Sequence, residues 1–134
     1  MSESFQQRVN EWMQACFGAA LSKDKMERNH RFLEEALELI QSLGCTKSEA
    51  HQITEYVFSR PVGETYQECG GVMITLAALS TSASLNMFTC GEEELKRIWK
   101  HVEQIRTKQQ GKPKHLPSSL QNCRVGFRRK VADK

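Results

Sequence analysis

The sequence has almost no proline, three residues in 134. It also has no stretch with the period-two alternation of a strand, no repeat and no low-complexity tract. Hydrophobic residues make up 39% and charged residues 26%, which is the balance of a globular chain rather than a disordered one. No apolar run reaches the length needed to cross a membrane. The polar start, residues 1–10, has no hydrophobic segment behind a basic one, so no signal peptide is expected. The five cysteines are widely spaced, with no CxxC and no Cys/His cluster. That spacing argues against a zinc site and for free thiols in a reducing cytoplasm.

What charge there is lies unevenly. Residues 105–134 hold nine Lys/Arg against one acid, a net of +8 in a chain whose total is +3. The first 104 residues therefore carry −5. A basic end of this kind can meet the phosphates of a nucleotide, a nucleic acid or an anionic surface. The chain divides accordingly into one domain over residues 1–115 and a basic tail over 116–134.

Everything periodic is helical. Phe5, Val9, Trp12, Met13, Cys16 and Ala20 recur at helical spacing and predict a helix over about residues 3–20. Residues 22–24 read as a break with a new N-cap, followed by a second helix to about Leu43, where Gly44 is a good stop. Met26, Leu33, Leu37 and Ile40 mark its expected core face. Thr46 and Glu49 form a capping box for a third helix that must end before Pro61. A fourth helix is expected over residues 62–86, with an apolar run from Val72 to Leu79 suited to burial. A second capping box, Thr89 to Glu92, would open a fifth helix through about Gln110. The expected architecture is an all-α bundle of four to five helices centred on the second and fourth.

The chemistry sits in carboxylates. On a helix, Glu34, Glu38 and Glu35 fall at roughly 0°, 40° and 100°, so three acids share one face of an otherwise apolar segment. No Lys or Arg stands among them in sequence. Glu64 and Glu68 are the only charged residues between Arg60 and Glu92, and at helical spacing they would lie on one face of the fourth helix. Were the second and fourth helices to pack together, four or five carboxylates would converge. All-oxygen ligation suits Mg²⁺ or Mn²⁺. An EExxE on its own is common on solvated helix faces; the second acidic pair, embedded in an apolar helix, is what strengthens the metal reading.

Glu34-Glu35-x-x-Glu38, followed some thirty residues later by Glu68-Cys69-Gly70-Gly71, resembles the MazG-like all-α NTP pyrophosphohydrolases over about residues 25–110. Their pattern is EExxE, a spacer, then ExxD. Gly71 stands where that pattern has Asp, and Glu64 is the candidate substitute. The resemblance is to a phage and prophage branch that includes enzymes acting on deoxyguanosine triphosphate, which would place the chain in a host's cytoplasm. It implies metal-dependent cleavage of a nucleoside triphosphate, dGTP or GTP among the candidates, to the monophosphate and pyrophosphate. It assigns Glu35, Glu38 and Glu68 as ligands of Mg²⁺ (or Mn²⁺), and Glu34 as a further ligand or the base. It implies a homodimer or homotetramer; the short apolar runs and the net acidic body lead to the expectation of no membrane and no stable nucleic-acid partner.

The same resemblance points to basic residues over the phosphate tail, here Arg106, Lys108, Lys112 and Lys114. Those cations equally suit the dipole of a helix end. Trp12 could stack a base, although a Trp at helical spacing among apolar residues is more often core. His30, one turn before Glu34, is a further substrate-contact candidate, with a structural histidine the commoner outcome. Gly70-Gly71 would leave space for close helix packing or for a ligand. Two other readings stand beside the hydrolase: a helical interaction protein that has lost catalysis, as Gly71 would suggest, and a nucleic-acid-binding module using the basic tail. The net acidic body and the lack of a basic helical stripe weigh against the last.

Overall fold

The computed structural model describes residues 2–112 and is helical throughout its regular elements: α1 (Phe5–Lys23), α2 (Lys25–Ser42), α3 (Lys47–Phe58), α4 (Thr65–Ser82), α5 (Met87–Lys100) and α6 (Val102–Gln110). Six helices replace the expected four to five. The start of the basic tail at residue 116 lies outside the described residues.

Local chemistry explains most of the boundaries. Ser4 and Gln7 close a capping box on α1, with the Ser4 amide donating to Gln7 Oε1 at 2.7 Å. Asp24 caps α2 and Thr46 caps α3, the latter with Glu49 completing the expected box. Gly44 takes φ +91° after α2, a left-handed C-terminal conformation in which the Cys45 amide donates back to Ile40 O at 2.9 Å.

Three boundaries depart from expectation. α1 runs past its expected end near residue 20 to Lys23, with a kink on the way at Gly18, which adopts φ 80°, ψ 170°. Asn86 caps α5 by accepting from the Thr89 amide at 2.9 Å, so the N-cap lies three residues before the expected one. At His101 (φ −122°, ψ 31°) the long fifth helix is interrupted. The interruption starts α6, whose Val102 and Ile105 pack on the core.

The core also differs from the expected α2–α4 centre. Trp12, Cys16 and Leu95 are its buried residues, enclosed by Phe5, Val9, Met13, Phe17, Ile98, Val102 and Ile105. It therefore joins α1 to α5 and α6. Trp12 and Phe17 meet edge to face at 5.5 Å, and the Cys16 thiol donates to Val102 O at 3.9 Å. Around this core α1 packs on α2, α5 and α6, and α4 packs on α5, from which it is bent by 99°.

By contrast, every residue from His51 to Ala78 is exposed. The expected core face of α2 is largely open too, with Met26, Leu33 and Leu37 all exposed. The α4 run is apolar on all sides, so its composition signals burial without naming the partner that provides it. No single helix among the described residues is long and apolar enough to cross a membrane.

Candidate functional site

The carboxylate row forms as the helix period requires. Glu34, Glu35 and Glu38 all lie in α2, with Glu34 half-buried and the other two exposed. The row is not without cations, however, as its sequence neighbourhood implied. Arg31, one turn earlier, approaches Glu34 at 2.5 Å, and Lys112, just past α6, donates to the same oxygen at 3.0 Å. Burial alone would raise the Glu34 carboxyl. The Lys112 hydrogen bond and the charges of Lys112, Arg31 and Lys108 outweigh it and hold the group below the usual carboxylate range.

The second acidic pair sits elsewhere. Glu64 is not on a helical face with Glu68, because α4 begins only at Thr65 and Glu64 is its N-cap. Its two oxygens accept from the amides of Tyr66 (3.2 Å) and Gln67 (2.9 Å). Glu68 folds back over Gly63, where an added Cβ would meet its carboxylate. The α2–α4 packing that would bring the two acidic groups together is not among the helix packings of the described chain. No set of three or more His, Cys, Asp or Glu residues is gathered in metal-binding proximity among the described residues. Among the described residues nothing lies within 4 Å of a Cβ built at Gly70 or Gly71, so neither glycine serves a close approach there.

What the fold does gather is positive charge beside the carboxylate row. A cleft of about 410 Å³ runs between α2, α5 and α6, over Trp12 and Phe17 of α1. Arg28, Arg31, Arg97, Lys108 and Lys112 line it, against the carboxylates Glu35 and Glu94. Arg97 is matched by Glu94 in a two-pronged pair, Nε to Oε2 at 2.8 Å and Nη2 to Oε1 at 2.6 Å. The sequence reading found Lys108 and Lys112 but missed Arg28, Arg31 and Arg97. The available signal was spacing: residues 28, 31 and 35 follow one another along one face of α2.

The remaining candidates take other positions. Trp12 is core, 8% exposed, and at the same time forms part of the cleft wall. His30 lines a separate cleft of about 360 Å³ with Asp24, Glu27 and Gln109. Arg106 is committed to α1: it donates to Cys16 O at 2.6 Å and Ala15 O at 2.8 Å, and pairs with Glu103 at 2.6 Å. The two carbonyls lie just before the non-helical Gly18, where a helix end leaves carbonyls in need of donors, and the guanidinium donates to both. Lys114 lies outside the described residues.

No family model matches the chain, and neither a curated protein nor a solved structure is significantly similar to it.

Proposed function

We propose that the chain is a metal-dependent nucleoside triphosphate pyrophosphohydrolase that holds its substrate in the cationic cleft of α2, α5 and α6. The observation that carries this reading is the adjacency of two unlike features: five cations around one cleft, and a carboxylate row whose Glu35 lines that same cleft. Cations suit a polyphosphate, and carboxylates suit a hard metal ion and an attacking water. The MazG-like motif resemblance fits the same chemistry, and dGTP or GTP are the first substrates to try.

Within one chain, Glu35 and Glu38 are the acids that fit a metal, since Glu34 is held by Arg31 and Lys112. Two carboxylates are a sufficient protein contribution for Mg²⁺, which commonly completes its shell with water and substrate phosphates. The ion would screen the polyphosphate charge. The chain's own residues orient the substrate: Arg31 and Lys112 fix one edge of the row, and Lys108 and Arg97 face the cleft from α6 and α5.

The same proposal includes a homo-oligomer. Val72, Met73 and Ile74 on α4 and Ile53, Tyr56 and Val57 on α3 leave a wide apolar surface open in the single chain. Exposed apolar side chains in such number suit an association face. Purified protein with Mg²⁺ or Mn²⁺ and a panel of nucleotides, scored for pyrophosphate release, tests the activity. Release from at least one triphosphate is expected. Its absence across the panel with both metals would favour the non-catalytic interaction protein.

A further inference from the structure

Lys108 is exposed to solvent, and among the other four cations of the cleft one stands apart. Arg97 is matched by Glu94, while Arg31 and Lys112 converge on Glu34. Arg28 has no such match. Its Nη1 meets only the Met13 sulfur at 3.6 Å, its guanidinium lies 6.0 Å from the Phe17 ring centre, and its nearest carboxylate, Glu27, is 4.0 Å away. Nε and Nη2 of Arg28 are buried and find no hydrogen-bond acceptor among the described residues. Trp12, in the wall of the same cleft, has a buried indole N–H that likewise lacks an acceptor. Buried donors without partners are costly, and a partly buried guanidinium more so. Burial accordingly lowers the Arg28 pKa, with Glu27 offsetting only part of the effect.

All of these groups are donors, so what they lack is an acceptor. Nε and Nη2 form one edge of the planar guanidinium fork, which suits two oxygens of one oxyanion. Arg28 and Glu35 are seven residues apart on α2, roughly 10 Å along the helix axis. That is a distance an extended polyphosphate can cover.

We propose that Arg28 and the Trp12 indole form an oxyanion subsite that takes the terminal phosphate of a polyphosphate running along α2 toward Glu35. This deepens the hydrolase reading and rests on it for the identity of the natural substrate, but the subsite itself requires only oxyanion chemistry. Arg28 is a binding and positioning residue under this assignment. The proposal sets phosphate, rather than the nucleobase, at the Trp12 end of the cleft.

The test is calorimetric titration of the intact chain with inorganic tripolyphosphate in the presence of a chelator, so that neither metal nor turnover enters the readout. Wild-type protein should bind, and Arg28→Met should weaken binding at least about tenfold. Arg28→Lys should restore only part, because an ammonium lacks the planar fork. Trp12→Phe removes the indole N–H while keeping an aromatic wall, and should weaken binding several-fold; it stands in if Arg28→Met fails to fold. Adenosine, which has no phosphate, should show no dependence on Arg28.

Tripolyphosphate that does not bind at millimolar concentration, or that binds equally to wild type, Arg28→Met and Trp12→Phe, overturns the subsite. So does adenosine binding that needs Arg28 while tripolyphosphate binding does not. The two levels separate cleanly. Arg28-dependent tripolyphosphate binding without pyrophosphate release in the nucleotide panel leaves the subsite standing and removes the hydrolase, and the reverse pair of results does the opposite.

Discussion

The two ends of this molecule solve the problem of apolar surface differently. The end built from α1, α5 and α6 buries Trp12, Cys16 and Leu95 within its own chain. The α3–α4 end carries the more apolar sequence of the two, yet leaves it open from His51 to Ala78. Apolar composition alone therefore does not bring burial; periodicity matters as well. α5 has a clear apolar face, Leu95 and Ile98, that matches α1, whereas α4 is apolar all round and has no preferred side to offer within one chain. The proposed site lies on α2, which packs on α1 and adjoins the closed end.

The largest expected effect is on chemistry. Glu35→Gln or Glu38→Gln should reduce pyrophosphate release by at least about a hundredfold while helicity by circular dichroism is unchanged, because an amide binds a hard cation weakly and cannot act as a base. Near-normal turnover at saturating metal in either variant would move the site off α2.

Stability should then divide the two ends. Trp12→Ala opens a cavity in the closed end and should cost about 3–5 kcal/mol in chemical denaturation. Ile74→Asp, at a 73% exposed position, should cost the single chain less than about 0.5 kcal/mol. Measured by sedimentation, the same Ile74→Asp change should shift the protein toward monomer. An unchanged mass would mean that α4 is not an association face.

A smaller effect is expected at the start of α4. Glu64→Ala removes the acceptor of two backbone amides and should cost about 0.5–1 kcal/mol. Loss of turnover far beyond what that destabilisation explains would mean that Glu64 leaves its capping position to serve the metal. Gly71→Asp should fold normally, since the space around that position is open.

The smallest effect is the pH dependence. Glu34 and Glu94 are both held below their usual pKa by their cation partners. A carboxyl depressed in the folded state contributes stability that is present above its unfolded value, near 4.5, and is lost as pH falls through the folded value. The melting temperature should therefore fall on acidification below about pH 4.5, and Glu34→Gln should flatten that fall. An unaltered slope in Glu34→Gln would show that the Lys112 pairing is too solvated to matter.

Much of this was legible where the determinants are local. The Thr46–Glu49 box, the Gly44 stop and the common face of Glu34, Glu35 and Glu38 depend on residues within one or two turns, and the sequence displays them. The kink at Gly18 was not legible, because the carbonyls beside it, Ala15 O and Cys16 O, accept from Arg106, some ninety residues away. The break at His101 has no Gly or Pro to announce it. The cleft could not be read at all from neighbours in sequence: Lys112 reaches Glu34 across 78 residues. The expected α2–α4 centre failed because an all-round apolar helix shows that it wants cover without saying from where.

The joining of α1 to α5 and α6 also bears on the order of events during synthesis. The Cys16–Val102 and Cys16–Arg106 contacts span 86 and 90 residues. Trp12 and Cys16 are synthesised well before Leu95, Val102 and Ile105, the residues they pack against. Contacts so distant in sequence incur their loop-closure entropy before any burial offsets it, and they slow folding. Until α5 and α6 are made, Trp12 lacks Leu95, Val102 and Ile105 to cover it, and the apolar stretch of α4 emerges before that core exists.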